Sequence, residues 1–192
     1  MLTLPRSLSL TPDQFAQVCA ANPEAVLELD ADGTLIEMTP TGGNTSARNS
    51  ALVFQLQSWA RTVDGWIVFE SSGGFRLADG SVRSPDASLV RLDRWRALSE
   101  AEREGFPPLC PDLVVELASP SDEIEVLRRK MVAYMTNGAR LGWLLLPQKR
   151  TVEVWTAAET ANSPLVLNDP SRLEAGLEFP GLVIDPRRIW EV

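Results

Sequence analysis

The sequence predicts one mixed α/β domain: a central sheet of mixed strand directions with helices on both sides. Three observations lead there. Elements alternate as helix, hairpin, helix, three strands, helix and two strands, so only some strand connections are crossovers. The runs Pro111–Ala118 and Leu141–Leu146 are almost continuously apolar, as in strands covered on both faces. At 192 residues the chain supports one core that buries roughly 70% of its unfolded surface. We expect a single domain over 1–192, with its core at about 44–156, an N-terminal helix and hairpin at 11–39, and C-terminal hairpins at 157–192.

Thr11-Pro12-Asp13-Gln14 opens the first helix with a capping box and a proline suited to the first turn. Val26–Leu29 and Thr34–Thr39 form hairpin arms around Asp30-Ala31-Asp32-Gly33, with Glu37 on the second arm. Thr41-Gly42-Gly43-Asn44 breaks the chain before a helix of about 16 residues ending near Arg61, whose apolar stripe is Leu52, Leu56 and Trp59. The glycine pair is read as a helix entry, because no lysine follows it as in a phosphate loop. Trp66–Glu70 is a strand, and Phe75–Leu77 with Ser81–Arg83 is a hairpin around Ala78-Asp79-Gly80. Pro85-Asp86 leads into the strand Ala87–Val90. The polar stretch 91–110 holds one or two short helices anchored by Trp95 and Leu98. Ser119–Asp122 caps a helix that runs to about Thr136 and closes at Asn137-Gly138. Thr151–Thr156 alternates as a strand, and Leu165–Leu167 and Leu182–Ile184 are short strands.

Composition removes several chemistries. The chain has no histidine, which excludes histidine triads, histidine zinc sites and imidazole acid–base catalysis. Two cysteines make neither a disulfide framework nor a zinc site, and fit reduced thiols in a cytoplasmic protein. No apolar run is long enough to span a bilayer, and the N-terminus shows no secretory signal. A formal charge of −8 argues against a broad nucleic-acid-binding surface while leaving room for a local groove.

Two acids break the hydrophobic pattern. Asp86 opens one strand, and Glu116 lies between Val114-Val115 and Leu117 in another. A buried carboxylate is costly unless it is paired or binds a cation. Carboxylates on neighbouring strands can hold Mg²⁺ (or Mn²⁺), which also accepts water and phosphate oxygens. The backbone carbonyl of Leu117 would serve as a third ligand. Glu70 and Glu37 are further candidates for metal or water, with an ordinary exposed acid the simpler account of both. Asp112 lies about 13 Å along the strand from Glu116 and is read as a strand-start residue. On the helix after Glu116, Lys130 and Arg128 fall on opposite borders of the stripe Ile124, Leu127, Met131, Tyr134 and Met135, while Arg129 points away. Sixteen arginines accompany only two lysines, so a retained lysine suggests a need for a compact, tunable charge. A lysine there can stem inward and bring its ammonium to the acids.

Val82-Arg83-Ser84-Pro85-Asp86, then Pro111-Asp112-Leu113-Val114-Val115-Glu116, then Lys130 with Tyr134, Gly138 and Leu141-Gly142-Trp143-Leu144-Leu145, resemble the Uma-two family of putative restriction endonucleases in the PD-(D/E)xK nuclease superfamily. The resemblance runs roughly from Thr11 to Trp155. It implies a restriction-endonuclease-like core and a metal-dependent endonuclease acting on DNA. It places the superfamily acids at Asp86 and Glu116. The lysine expected two positions after Glu116 is replaced by Ala118, and the resemblance implies Lys130 in its stead. Two other readings are a catalytically inactive binding or assembly module on the same fold, which Ala118 and the negative charge favour, and a carboxylate-pair glycosidase. Apolar strands and Trp-bearing edge hairpins suggest a two-fold homodimer.

Overall fold

The computed structural model describes residues 9–38, 41–156 and 164–192. Thr39, at the end of the expected second hairpin arm, and the start of the expected C-terminal hairpins at 157–163 lie outside the described residues. Helix α1 (Pro12–Ala21) carries the expected capping box: the Gln14 amide donates to Thr11 Oγ1 at 3.2 Å, and Thr11 N–H donates to Gln14 Oε1 at 2.9 Å. Strands β1 (Leu27–Leu29) and β2 (Leu35–Glu37) form the first hairpin. Helix α2 (Gly43–Ala60) follows, then β3 (Trp66–Glu70), the short β4 (Phe75–Arg76) and β5 (Val82–Arg83), and β6 (Ala87–Arg91). Two five-residue helices, α3 (Leu92–Arg96) and α4 (Glu100–Glu104), occupy the polar stretch. Then come β7 (Leu113–Leu117), α5 (Ile124–Thr136), β8 (Leu141–Leu146), β9 (Thr151–Thr156) and β10 (Leu165–Asn168). A small hairpin, β11 (Leu173–Glu174) with β12 (Val183–Ile184), and the short helix α6 (Arg187–Trp190) end the chain.

Among the described residues the central sheet has six strands in the order β10-β9-β8-β7-β6-β3. Only β7 and β8 are parallel, and α5 is the crossover between them. Side chains of β7 alternate. Leu113, Val115 and Leu117 join Leu52, Leu56 and Trp59 of α2 in one apolar layer, whereas Val114 and Ala118 join Met131, Tyr134 and Met135 of α5 in the other. Glu116 falls on the α5 side by this alternation. β8 alternates likewise, with Trp143 toward α2 and Leu144 toward α5. Gly142 lets the helix lie close: a Cβ there would collide with Met131 Cε. The fold is the mixed α/β architecture expected.

Three expectations need correction. The N-terminal hairpin is no appendage to a core beginning at 44. Leu29 of β1 pairs with Val82 of β5, giving a second sheet in the order β2-β1-β5-β4. Leu27, Leu29 and Val82 bury against Phe15 of α1, which makes the hairpin half of a second small core. The Ser119–Asp122 segment does not cap α5 directly. Asp122 Oδ2 instead accepts the Ser119 N–H at 2.7 Å, closing a local turn, and the helix starts at Ile124 with Glu123 as an N-cap lacking a side-chain bond. Helix α2 starts at Gly43 and has 18 residues, since Gly42 takes the extended N-cap conformation.

Candidate active site at the open end of the sheet

The strand registers bring the acids together. β6 and β7 are antiparallel with Ala87 opposite Val115, so the next step outward sets Asp86 against Glu116. In the second sheet Leu29 opposite Val82 sets Glu28 against Arg83 in the same way. Asp86 Oδ2 accepts the Leu117 N–H at 2.7 Å, and its Oδ1 accepts Asn49 Nδ2 of α2 at 3.0 Å. A cavity of about 970 Å³ opens here, lined by Asp86, Glu116 and Lys130 together with Glu28, Arg83 and the first turns of α2.

Lys130 projects from the border of the α5 stripe to the centre of this group. Its Nζ lies 2.9 Å from Glu116 Oε1, 2.8 Å from Glu28 Oε1 and 3.4 Å from the Ser84 carbonyl oxygen. Tyr134, one turn on, donates its hydroxyl to Glu116 Oε1 at 3.0 Å. Glu28 is held further by the Ser84 N–H at 2.8 Å and by Arg83 at 3.3 Å, while Arg83 also reaches Asp30 at 2.7 Å. The other stripe border behaves as the helical geometry requires: Arg128 Nε bonds the buried Glu153 of β9 at 3.1 Å.

Glu28, Glu116 and Lys130 are 2%, 3% and 9% exposed, so their charges interact at short range with little solvent screening. Burial pushes the Glu116 carboxyl up to about 8, the neighbouring Asp86 and Glu28 push the same way, and Lys130 opposes them. Asp86 is raised by burial, against the pull of the Leu117 N–H, Asn49 and Lys130. For Lys130 burial alone would disfavour the ammonium, but Glu116 and Glu28 outweigh it and keep the group cationic. Tyr134 is raised well above its usual value, chiefly by burial, and remains a neutral donor. Four carboxyl groups, counting Asp30 on Arg83, therefore share one ammonium and one guanidinium. The shortfall of positive charge can be met by a proton or by a bound cation.

The donor set suits a hard cation. Asp86, Glu116 and the Leu117 carbonyl offer oxygen only, and Asn49 Oδ1, buried beside Asp86, has no hydrogen-bond partner among the described residues. Among the described residues no three His, Cys, Asp or Glu side chains are grouped to hold a metal alone, so amide, backbone or water oxygens would complete the shell.

The structure thus brings Asp86, Glu116, Leu117 and Lys130 to one cavity, with Glu37 exposed on its lining. It leaves Glu70 apart: that residue is exposed at the end of β3, bonded to Ser72, and is not part of the lining. Asp112 is buried at the far end of β7, where it pairs with Arg94 at 2.8 Å and accepts the Arg91 N–H at 2.9 Å. Sequence reasoning missed Glu28, Arg83 and Asn49. Glu28 carried a usable signal, since Leu27-Glu28-Leu29 sets an acid between two apolar residues just as Val115-Glu116-Leu117 does. No tryptophan lines the cavity, which removes the support for a sugar site.

The class that fold and site define is a mixed α/β sheet flanked by helices, with acids gathered where its strands open. A crystal structure of a putative nuclease of the DUF820 group from Anabaena variabilis shares it with a TM-score of 0.75, at 21% identity, covering 95% of this chain and 98% of that one. The chain belongs to the Uma2 family, described as putative restriction endonucleases, whose model matches residues 12–187. No curated protein matches the chain.

Proposed function

We propose that the protein is a divalent-metal-dependent endonuclease that hydrolyses phosphodiester bonds in DNA. The observation that carries this is the convergence of Asp86, Glu116 and Lys130 on one cavity, with Lys130 Nζ 2.9 Å from Glu116. Family membership supports the reaction class. Asp86, Glu116 and the Leu117 carbonyl would hold Mg²⁺ or Mn²⁺. When bound, such a cation supplies a water of lowered pKa and neutralises charge on a phosphoryl oxygen. Asn49 and the Leu117 N–H fix the Asp86 carboxylate. Lys130 orients the attacking water and offers its charge to the oxygen that becomes more negative in the transition state. Glu28 and Tyr134 hold Lys130 and Glu116 in register. Two free thiols, Cys19 and the buried Cys110, whose thiol burial pushes up to about 12, support a reducing, cytoplasmic setting. Among the described residues no helix is long and apolar enough to cross a membrane.

The test is cleavage of DNA by purified protein with and without Mg²⁺. Asp86→Asn keeps the side-chain shape but loses the charge and one of its two accepting oxygens, and is expected to reduce metal-dependent cleavage by roughly a hundred-fold or more. Full activity in this variant would remove Asp86 from the site.

A second reading is an inactive binding module. It is favoured by the three contacts Lys130 already makes, to Glu28, Glu116 and the Ser84 carbonyl, which occupy all of its donors. Calorimetry with Mg²⁺ or Mn²⁺ separates the two, since an inert site shows no saturable binding that Asp86→Ala abolishes. The outer edge of β10, with Leu165 and Val166 exposed, supports a two-fold dimer. Sedimentation should give the dimer mass, and Val166→Lys should shift it toward monomer.

A further inference from the structure

The cavity has a second chemical end, opposite in character to the acids. Helix α2 enters the lining at Gly42, with no side-chain cap and no acidic residue in its first turn. The N–H groups of Gly43, Asn44 and Thr45 therefore lack intrahelical acceptors, and the helix dipole adds partial positive charge there. A Cβ at Gly42 or Gly43 would meet nothing within 4 Å, so the helix entry is not packed over on that side.

Side chains point to the same place independently. Thr45 is only 5% exposed and lines the cavity, and its hydroxyl has no hydrogen-bond partner among the described residues. The oxygen itself is not enclosed, so on a residue that is otherwise buried it faces the cavity, where a ligand can reach it. Arg48, one turn later, also lines the cavity. Its Nε is buried without a partner, and among the described residues no carboxylate pairs with it although acids line the same space. Thr45, Arg48 and Asn49 share a face through i,i+3 and i,i+4 spacing. Asn49 is the residue bonded to Asp86. The amides of Gly43, Asn44 and Thr45 thus lie about 6 to 9 Å back along the helix axis from Asn49.

We propose that the N-terminus of α2 is a phosphate subsite for the nucleic-acid strand, binding the phosphate next to the one under attack. The N–H groups of Gly43, Asn44 and Thr45, the Thr45 hydroxyl and the Arg48 guanidinium are its donors. Anions suit a helix N-terminus, and a guanidinium offers several N–H groups to phosphate oxygens. The acids beside Asp86 exclude a bare phosphate from their own end, so the anion is steered to the α2 end and the strand is placed in register. The assignment of a neighbouring phosphate rests on the proposed nuclease function; the anion site itself does not.

The test is an NMR titration of the metal-free intact protein with inorganic phosphate and with thymidylyl-thymidine, which carries one phosphodiester. Saturable shifts are expected at the Gly43, Asn44 and Thr45 amides. Arg48→Gln and Thr45→Val should each weaken binding, by about ten-fold for Arg48→Gln, with spectra otherwise those of the folded protein. Absence of saturation, shifts confined to other residues, or unchanged affinity in both variants overturns the proposal. If DNA is cleaved, both variants should raise KM with kcat near that of the parent, because the contact does not change during reaction. Phosphate binding without any cleavage would sink the nuclease function and leave the anion site standing. Cleavage indifferent to both variants would do the reverse.

Discussion

Lys130→Met is expected to reduce the proposed cleavage by roughly a hundred-fold to a thousand-fold or more, and to make the protein's stability depend steeply on pH. The ammonium sits 2.8 Å from Glu28 and 2.9 Å from Glu116, and the methionine chain fills its stem volume without its charge. Glu116 titrates at about 8 in the folded protein against an ordinary 4.5, so folding takes up a proton between those values. Its contribution to stability is complete below the unfolded pKa and is lost as pH rises through the folded one. Lys130 is the charge that pulls this pKa down, and removing it lifts the pKa further and extends the losing range upward. The variant should therefore carry a deficit from the lost Glu28 contact already near about pH 6 and fall further behind toward about pH 9. The gap should grow by at most roughly 1.4 kcal/mol per pH unit for one proton. Urea titrations at the two pH values measure it. A gap independent of pH would show that the carboxyl groups do not depend on Lys130, and full cleavage would place the lysine outside the chemistry.

Trp143→Ala should cost roughly 3–5 kcal/mol, the largest effect on stability of any single truncation in the central sheet. Trp143 is completely buried in the middle of β8, where it packs in the layer between the sheet and α2. β8 pairs with β7 on one side and β9 on the other, so neither neighbour can move in to fill the space. For a domain whose whole stability is on the order of 10 kcal/mol, the melting temperature should drop by about 10 °C. Trp143→Phe keeps most of the volume and should lose much less. A loss under about 1 kcal/mol in the alanine variant would mean that the layer collapses around the gap.

Parts of this site were legible because they broke a local rule. Glu116 stood in a run that was otherwise apolar, and Lys130 stood on a stripe border in a chain with one other lysine. Their meeting followed from helix geometry and from the crossover between parallel strands. Glu28 broke the same rule more quietly. Three strand residues in a hairpin are too few to tell a buried face from a solvated one, and its neighbours Asp30 and Asp32 made another acid look ordinary. The second sheet was illegible for a different reason. β4 and β5 have two residues each, and the pairing of β5 with β1 is set by tertiary contact rather than by any periodicity. The turn at Ser119–Asp122 had the composition of a helix cap, but its aspartate closes on the serine backbone before the helix begins. Composition alone could not show which of the two backbone groups Asp122 would take.

The salt bridge between Lys130 and Glu28 also bears on the order in which the chain acquires its structure. Its two ends are more than half the sequence apart, whereas β7, α5 and β8 join neighbours. Bringing distant segments together costs more loop entropy than pairing adjacent ones. The helix and sheet framework can thus assemble while the hairpin that carries Glu28 is still loose, and the cavity closes in a late phase of refolding. The Ser84 N–H is tied directly to Glu28 and reports that moment. In pulse-labelled amide exchange it should gain protection after the amides of β7 and β8. A nascent chain would then leave the Lys130 ammonium without its Glu28 partner until folding is nearly complete.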